Sequence, residues 1–250
     1  MSGLRGKLTD PLLSVVMPAY NEATTIEEII RRVMSVPLRT QLIVVDDCST
    51  DGTRDILARL QGELGFTLLL QPENRGKGAA LRTGFRAALA EGVEAVITLD
   101  ADGQHDPAEV PAFVGAYARR TLAGEPTQLI IGRRDFRRMP PVRRLSNRLG
   151  TLLVSIAVGR RIDDNQSGYR LVGRRLMSAT LESLEPGFAF EVEMIAICLR
   201  EGWPIEWLPI RTIYGDEPSH IRPLHHLREF LAVTRRARRI SRERPRTLSE

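Results

Sequence analysis

A chain of 250 residues, 42% hydrophobic and 27% charged, can bury a full core, which excludes a disordered chain or a disulfide-stapled miniprotein. Its two cysteines, Cys48 and Cys198, lie far apart and form no CxxC pair, so neither a disulfide framework nor a thiolate zinc site is expected. The net charge of +5 is unevenly placed: nine Arg against Glu229 and Glu243 over 222–246, and seven Arg against Asp135 over 133–148, leave an acidic remainder. That pattern suits an anionic partner approached from one side, whereas 5% aromatic content and no recognised motif argue against nucleic acid.

In chain order, residues 1–10 are polar and lack the apolar stretch of a signal peptide. Residues 13–18 form a short β-rich run, followed by a helical pattern over 25–34 with Ile26, Ile29, Ile30 and Val33 on one face. Residues 41–46 are a continuous apolar run of the kind found in a strand buried on both sides. Ser49, Thr50 and Asp51 then open a second helix as caps. Strands over 66–70, 95–99 and 129–132 and a helix over 78–91 continue the alternation. This spacing predicts an α/β protein with a mostly parallel sheet flanked by helices, whose ligands sit at the carboxyl ends of the strands. Leu145, Leu149, Leu152, Leu153 and Ile156 follow helical spacing, with Arg143, Arg144 and Arg148 on or near the other side. A helix over 191–200 and a strand over 207–213, broken by Pro209, complete the body.

Organisation follows: one catalytic domain over 1–221 and a basic amphipathic extension over 222–250. In the extension Leu224, Leu227, Phe230, Leu231 and Thr234 recur at helical spacing beside Arg228, Arg235, Arg238 and Arg239, which predicts a helix resting on an anionic membrane surface. The apolar patch at 152–158 is too short to cross a bilayer. A cytoplasmic protein, peripheral at the inner face of the membrane, is expected.

Chemistry concentrates at Asp100-Ala101-Asp102, after the fourth strand. In an extended segment residues i and i+2 point to one side, and two carboxylates held together call for a cation between them. Hard oxygen ligands favour Mg²⁺ or Mn²⁺, which also bind phosphate oxygens; Gln104 and His105 follow within reach. Asp46 and Asp47, directly after a buried strand, face the ligand crevice, where a carboxylate accepts hydrogen bonds from a nucleobase or a ribose.

The runs Met17-Pro-Ala-Tyr-Asn-Glu, Val44-Val-Asp-Asp-Cys-Ser-Thr-Asp-Gly-Thr, Asn74-Arg-Gly-Lys-Gly and Asp100-Ala-Asp-Gly-Gln-His-Asp-Pro resemble, in that order, the motifs of glycosyltransferase family 2. Asp164-Asn-Gln-Ser-Gly-Tyr-Arg, Phe190-Glu-Val-Glu and Tyr214-Gly-Asp-Glu-Pro-Ser-His-Ile-Arg-Pro resemble its polyprenyl-phosphate sugar synthase branch, of the dolichyl-phosphate mannose synthase type. The resemblance implies a GT-A fold and an inverting, metal-dependent transfer of a sugar from a nucleotide diphosphate donor to a polyprenyl phosphate. It implies that Pro18, Tyr20, Glu22 and either Asp46 or Asp47 hold the nucleoside, with Tyr20 stacked on the base, and that Lys77 also contacts the donor. Asp100, Asp102 and Gln104 would bind the metal, Arg134 would stand beside the phosphates, and Gln166 would lie against the reacting sugar. Arg143, Arg144, Arg170, Ser219, His220 and Arg222 would meet the acceptor phosphate, although His220 stands where the family commonly has lysine. A separate membrane-anchor protein is a further possible partner.

The rival is a family 2 transferase acting on a hydroxyl in glycan synthesis. A hydroxyl needs a positioned carboxylate base, for which Asp164 and Glu191 are the candidates; a phosphate, already anionic, does not. A nucleotidyltransferase would carry a Gly-rich, Arg-containing loop after the first strand, where this chain has Pro18-Ala-Tyr-Asn-Glu. A non-catalytic nucleotide-binding module would have lost the paired carboxylates, and both are present.

Overall fold

The computed structural model describes residues 13–38, 40–125, 127–211, 213 and 223–245, with backbone alone at 40, 138 and 223–230. In chain order they form β1 (Leu13–Ala19), α1 (Ile26–Met34), β2 (Thr40–Asp46), α2 (Thr53–Leu64), β3 (Thr67–Leu70), α3 (Lys77–Ala90) and β4 (Ala95–Thr98). There follow α4 (Val110–Leu122), β5 (Leu129–Arg134), α5 (Pro141–Val158), β6 (Arg170–Gly173), α6 (Arg174–Thr180), α7 (Ala189–Glu201), β7 (Ile205–Ile210) and α8 (Pro223–Arg242). The strands make one sheet in the order β3-β2-β1-β4-β6-β5-β7. Every neighbouring pair is parallel except those of β6, which runs antiparallel between β4 and β5.

Period-two alternation explains the continuous apolar runs. Val15, Met17, Leu42, Val44, Ile97, Ile130 and Leu171 bury against Ile26, Ile29 and Ile30 of α1, Leu57 and Leu60 of α2 and Phe113 of α4. Val16, Ile43, Val45, Val96, Leu129, Ile131 and Val172 turn to the other face, against α3, α6 and α7. Both faces are covered, so the strand interiors are mostly apolar and the charged side chains of the cleft come after the strand ends. Pro209 is tolerated in β7 because β7 is an edge strand and its missing N–H costs no ladder bond.

Gly84 lets α3 lie directly on β1. A β-carbon at this position would stand 2.4 Å from Cγ1 of Val16, which is fully buried. Gly84→Ala is therefore expected to lower unfolding stability by about 1–2 kcal/mol, because overpacking outweighs the better helix propensity of alanine. Denaturant midpoints measure it; an unchanged or raised midpoint would mean that β1 yields freely.

The helix expected over 223–239 forms as α8, which packs against α5 and α7. Thr234, Ala237 and Ile240 are buried, and the last two join the core cluster of the sheet. From residue 234 onward the apolar face of this helix thus belongs to the body, and no break in packing marks a separate extension there. The side chains of Leu224, Leu227, Phe230 and Arg228 lie outside the described residues.

Candidate functional site

A cleft of about 350 Å³ opens at the carboxyl ends of β1, β2 and β4, where the fold class places ligands. Pro18, Ala19, Tyr20 and Glu22 line it from β1 and the loop after it. Asp47 comes from the end of β2, Asn74, Gly76, Lys77 and Ala80 from the start of α3, Asp100, Ala101 and Asp102 from the turn after β4, and Phe188 from the loop before α7. Seven of the residues expected from sequence, Pro18, Tyr20, Glu22, Asp47, Lys77, Asp100 and Asp102, thus meet in one space.

The two adjacent carboxylates after β2 part company. Asp46 is fully buried and turned to Arg54, which binds its Oδ2 at 2.7 Å, while the Ser49 N–H donates to both its oxygens. Asp47 faces the cleft and accepts from the Arg75 N–H at 2.9 Å and the Gly76 N–H at 2.7 Å, fixing the loop that leads into α3. Sequence left these two open, and the geometry puts Asp47 in the cleft. Ser49, read as a helix cap, instead accepts from the Asn21 N–H and ties the loops after β1 and β2 together, while Asp51 does both, accepting from the Ala23 N–H and from the N–H of Thr53, the first residue of α2. The cap residue of α2 is Gly52, with no side-chain capping bond. Tyr20 remains half exposed at the rim.

Asp100 and Asp102 share the cleft by a route other than strand alternation. β4 ends at Thr98, and residues 101–102 form a turn in which Asp102 Oδ1 accepts from the Gln104 N–H at 2.9 Å. That turn carries Gln104 past the cleft, where its carbonyl accepts from the Ile213 N–H, so it is not among the described residues lining the wall. His105 is buried against Tyr169, ring centroids 5.1 Å apart, and burial pulls its imidazole down to about 4, leaving it neutral. Among the described residues no group of three or more His, Cys, Asp or Glu gathers as a metal cage. Two hard oxygen donors on an open wall match a cation that takes its other ligands from phosphate and water.

Lys77 sits between two acids. Its Nζ lies 2.6 Å from Asp100 Oδ1 and 3.0 Å from Glu191 Oε1, with the Phe188 ring 5.4 Å away. Burial alone would lower the ammonium, but Asp100 and Glu191 outweigh it and hold Lys77 well above its ordinary range. Burial likewise opposes ionisation of Asp100, and Lys77 reverses that, so its carboxyl stays below the usual range. Gly168 closes over this pair: a β-carbon there would stand 2.3 Å from Asp100 Oδ2 and 2.8 Å from the Lys77 ammonium. Any side chain there would have to push both charged groups aside.

The expected acceptor and phosphate residues are more dispersed. Arg134, at the end of β5, makes a two-pronged pair with buried Asp164, Nε–Oδ2 2.8 Å and Nη2–Oδ1 2.9 Å, and is not among the residues lining the cleft. Asp164 Oδ1 also accepts from the Gln166 N–H at 3.1 Å, so it ties β5 to the turn that ends at Gly168. Gln166 is half-buried on that turn. Arg170, read as a phosphate ligand, is instead fully buried on β6, donating to the carbonyls of Ser167 (2.8 Å), Glu191 (2.5 Å) and Asn165 (3.1 Å). Its guanidinium is spent inside the protein. Arg143 and Arg144 are half-buried near the start of α5. Ser219, His220 and Arg222 lie outside the described residues.

Sequence reasoning left four residues of this region without a donor-site role. Asn74 and Gly76 stand in the Asn74-Arg-Gly-Lys-Gly run, whose match could have flagged them. Glu191 was weighed only as a base, and its pairing with Lys77 across the fold leaves no local trace. Phe188 carried no signal beyond being an aromatic in a Gly-containing loop.

The sheet order, the antiparallel β6 and the cleft define a GT-A fold. The solved structure of glucosyl-3-phosphoglycerate synthase from Mycobacterium tuberculosis with Mn²⁺, UDP-glucose and phosphoglyceric acid superposes with a TM-score of 0.68 at 24% identity, covering 97% of this chain and 85% of that one. Residues 14–179 match the model of glycosyl transferase family 2, and the chain belongs to that family. It is 30% identical to the undecaprenyl-phosphate mannosyltransferase of Micrococcus luteus, over 79% of this chain and 82% of the relative. It is 25% identical to the UDP-N-acetylglucosamine–dolichyl-phosphate N-acetylglucosaminyltransferase of Methanococcus voltae, over 84% and 88%. No helix among the described residues is long and apolar enough to cross a membrane.

Proposed function

We propose that this glycosyltransferase moves a sugar from a nucleotide diphosphate donor to a polyprenyl phosphate with inversion at the anomeric carbon. One observation carries the choice of acceptor. The two carboxylates that a hydroxyl acceptor would need as a base are both engaged by cations, Asp164 by Arg134 and Glu191 by Lys77. Each is thus tied up in an ion pair inside the protein rather than presented to a substrate hydroxyl. A phosphate monoester needs no base, since it is anionic near neutral pH. The names of the relatives from Micrococcus luteus and Methanococcus voltae support the same acceptor class.

In this reading Tyr20, Pro18, Glu22 and Asp47 take the nucleoside, and Lys77, at the first turn of α3, meets the charge of the diphosphate. Asp100 and Asp102 would hold Mg²⁺ or Mn²⁺, which when bound supplies positive charge to the departing diphosphate. The acceptor phosphate oxygen forms the new bond to the anomeric carbon as the bond to the diphosphate oxygen breaks, and the nucleoside diphosphate leaves with that electron pair. A single displacement turns an α-linked donor into a β-linked product. Gly168 and the turn beside it set how closely the sugar approaches Asp100.

A panel of nucleotide sugars, screened by the rise in melting temperature, identifies the donor. That donor, radiolabelled, is then offered with a polyprenyl phosphate, the free polyprenol, simple glycans and 3-phosphoglycerate. Labelling of the polyprenyl phosphate is expected to exceed the others by at least about a hundredfold, or roughly 2.7 kcal/mol of barrier. Equal labelling of the polyprenol, or preference for a sugar or phosphoglycerate hydroxyl, would establish the hydroxyl-acceptor reading.

A further inference from the structure

Among the described residues, five exposed large apolar side chains gather on one helix. Val142, Leu145, Leu149, Leu152 and Ile156 of α5 are 66%, 71%, 50%, 55% and 68% exposed. Their spacing of three, four, three and four residues places them in one straight stripe along a helix about 27 Å long. The buried residues of α5, Gly150, Thr151 and Val154, lie on the opposite side, where the helix packs on α8. Helical spacing alone left the direction of this face open; the helix shows the core its small residues and presents the leucines outward. Such a contiguous exposed stripe marks an interaction surface.

We propose that this face of α5 is the membrane-contact surface, lying flat in the headgroup layer of an anionic bilayer. Charge selects that occupant. Over 133–161 the chain carries nine Arg against Asp135 alone, and α5 itself holds no acidic residue. Arg144 and Arg148 follow the stripe along one edge by helical spacing, and exposed Arg160 stands just beyond its end. An apolar stripe bordered by arginines is the pattern of a helix that lies in a membrane interface. A second copy of the chain fits the spacing equally well, but its α5 would bring arginines against arginines with no carboxylate between them. Of the stripe expected to anchor the tail helix, Thr234 is buried and Leu231 exposed among the described side chains, and further along Ala237 and Ile240 join the core. A lipid-borne acceptor, the reading on which this rests, would then be met at the surface rather than drawn into solution.

The test uses the full chain and vesicles of phosphatidylcholine, alone or with about a third phosphatidylglycerol, at low and high salt. Two variants accompany the parent: Leu145→Gln/Leu149→Gln/Leu152→Gln, all three positions exposed, and Arg235→Gln/Arg238→Gln/Arg239→Gln. The parent is expected to sediment with anionic vesicles and to be released by salt. The leucine variant, with an unchanged melting temperature, should bind at least about tenfold more weakly, as withdrawing three inserted side chains requires. Loss in the arginine variant should be smaller. Equal binding by parent and leucine variant, or no binding by the parent, would overturn the assignment. So would a parent dimer that the leucine variant splits without change in vesicle binding, which would give the face to a second copy. Transfer to a short, water-soluble polyprenyl phosphate without vesicles is measured in parallel and should be the same in the parent and the leucine variant. If the parent binds vesicles but does not label that acceptor, the lipid-acceptor reading fails while the membrane face stands.

Discussion

Asp102→Asn is expected to lower sugar transfer by at least about a thousandfold while leaving the fold intact. The substitution keeps shape and one oxygen, so the turn after β4 survives: Asp102 Oδ1 accepts from the Gln104 N–H, and an asparagine oxygen does the same. What disappears is the negative charge on the cleft wall beside Asp100. A neutral amide cannot balance a divalent cation bound between protein and diphosphate, and such electrostatic stabilisation is worth several kcal/mol in the transition state. Three measurements check this together: transfer with Mg²⁺ or Mn²⁺, Mn²⁺ binding by titration calorimetry in the presence of the nucleoside diphosphate, and the melting temperature. Activity within about tenfold of the parent, some 1.4 kcal/mol of barrier, would remove the cation from Asp102. Unchanged Mn²⁺ affinity would do the same.

The parts of this site legible in the sequence are those whose signal is local. Continuous apolar runs ending abruptly at Asp46 and Leu99 announce buried strands and the place where a ligand must sit, because both faces of the sheet are already covered. Asp47, Asp100 and Asp102 are found that way. Two kinds of information stay hidden. The first is pairing between distant segments: Lys77 with Glu191 joins α3 to α7, and Arg134 with Asp164 joins β5 to the turn before β6, and neither leaves a local pattern. β6 itself is only four residues long and begins with an arginine, so no strand pattern marks it. The second is which side of an amphipathic helix meets the core. In α5 Gly150, Thr151 and Val154 are the buried residues and the leucines face outward, and periodicity alone cannot distinguish that from the reverse.

Arg170 shows how the same ambiguity reaches a single residue, and its replacement is expected to have the largest effect on stability. An arginine two residues after a Gly in a polar run has the appearance of a phosphate ligand, yet this one is fully buried and binds three backbone carbonyls. Two of them, from Asn165 and Ser167, belong to the turn that ends at Gly168, and the third, from Glu191, belongs to the start of α7. Burial lowers its guanidinium below the ordinary range, although Glu191, Asp164 and Asp100 work against that. Arg170→Met removes the donors and leaves three carbonyls and the surrounding carboxylates without their buried cation. The expected loss is about 3–5 kcal/mol, the range for breaking a buried charged network by deleting one partner. Arg170→Lys keeps the charge but cannot reach three carbonyls from one ammonium, so it should recover only part of the stability. Denaturant unfolding measures both, alongside KM for the acceptor phosphate. A structural role predicts that stability falls in both variants and that the acceptor KM of the folded Lys variant stays near the parent value. If stability were unchanged and only the acceptor KM rose, Arg170 would have to leave its carbonyls and reach the phosphate, and the buried knot would not be its working position.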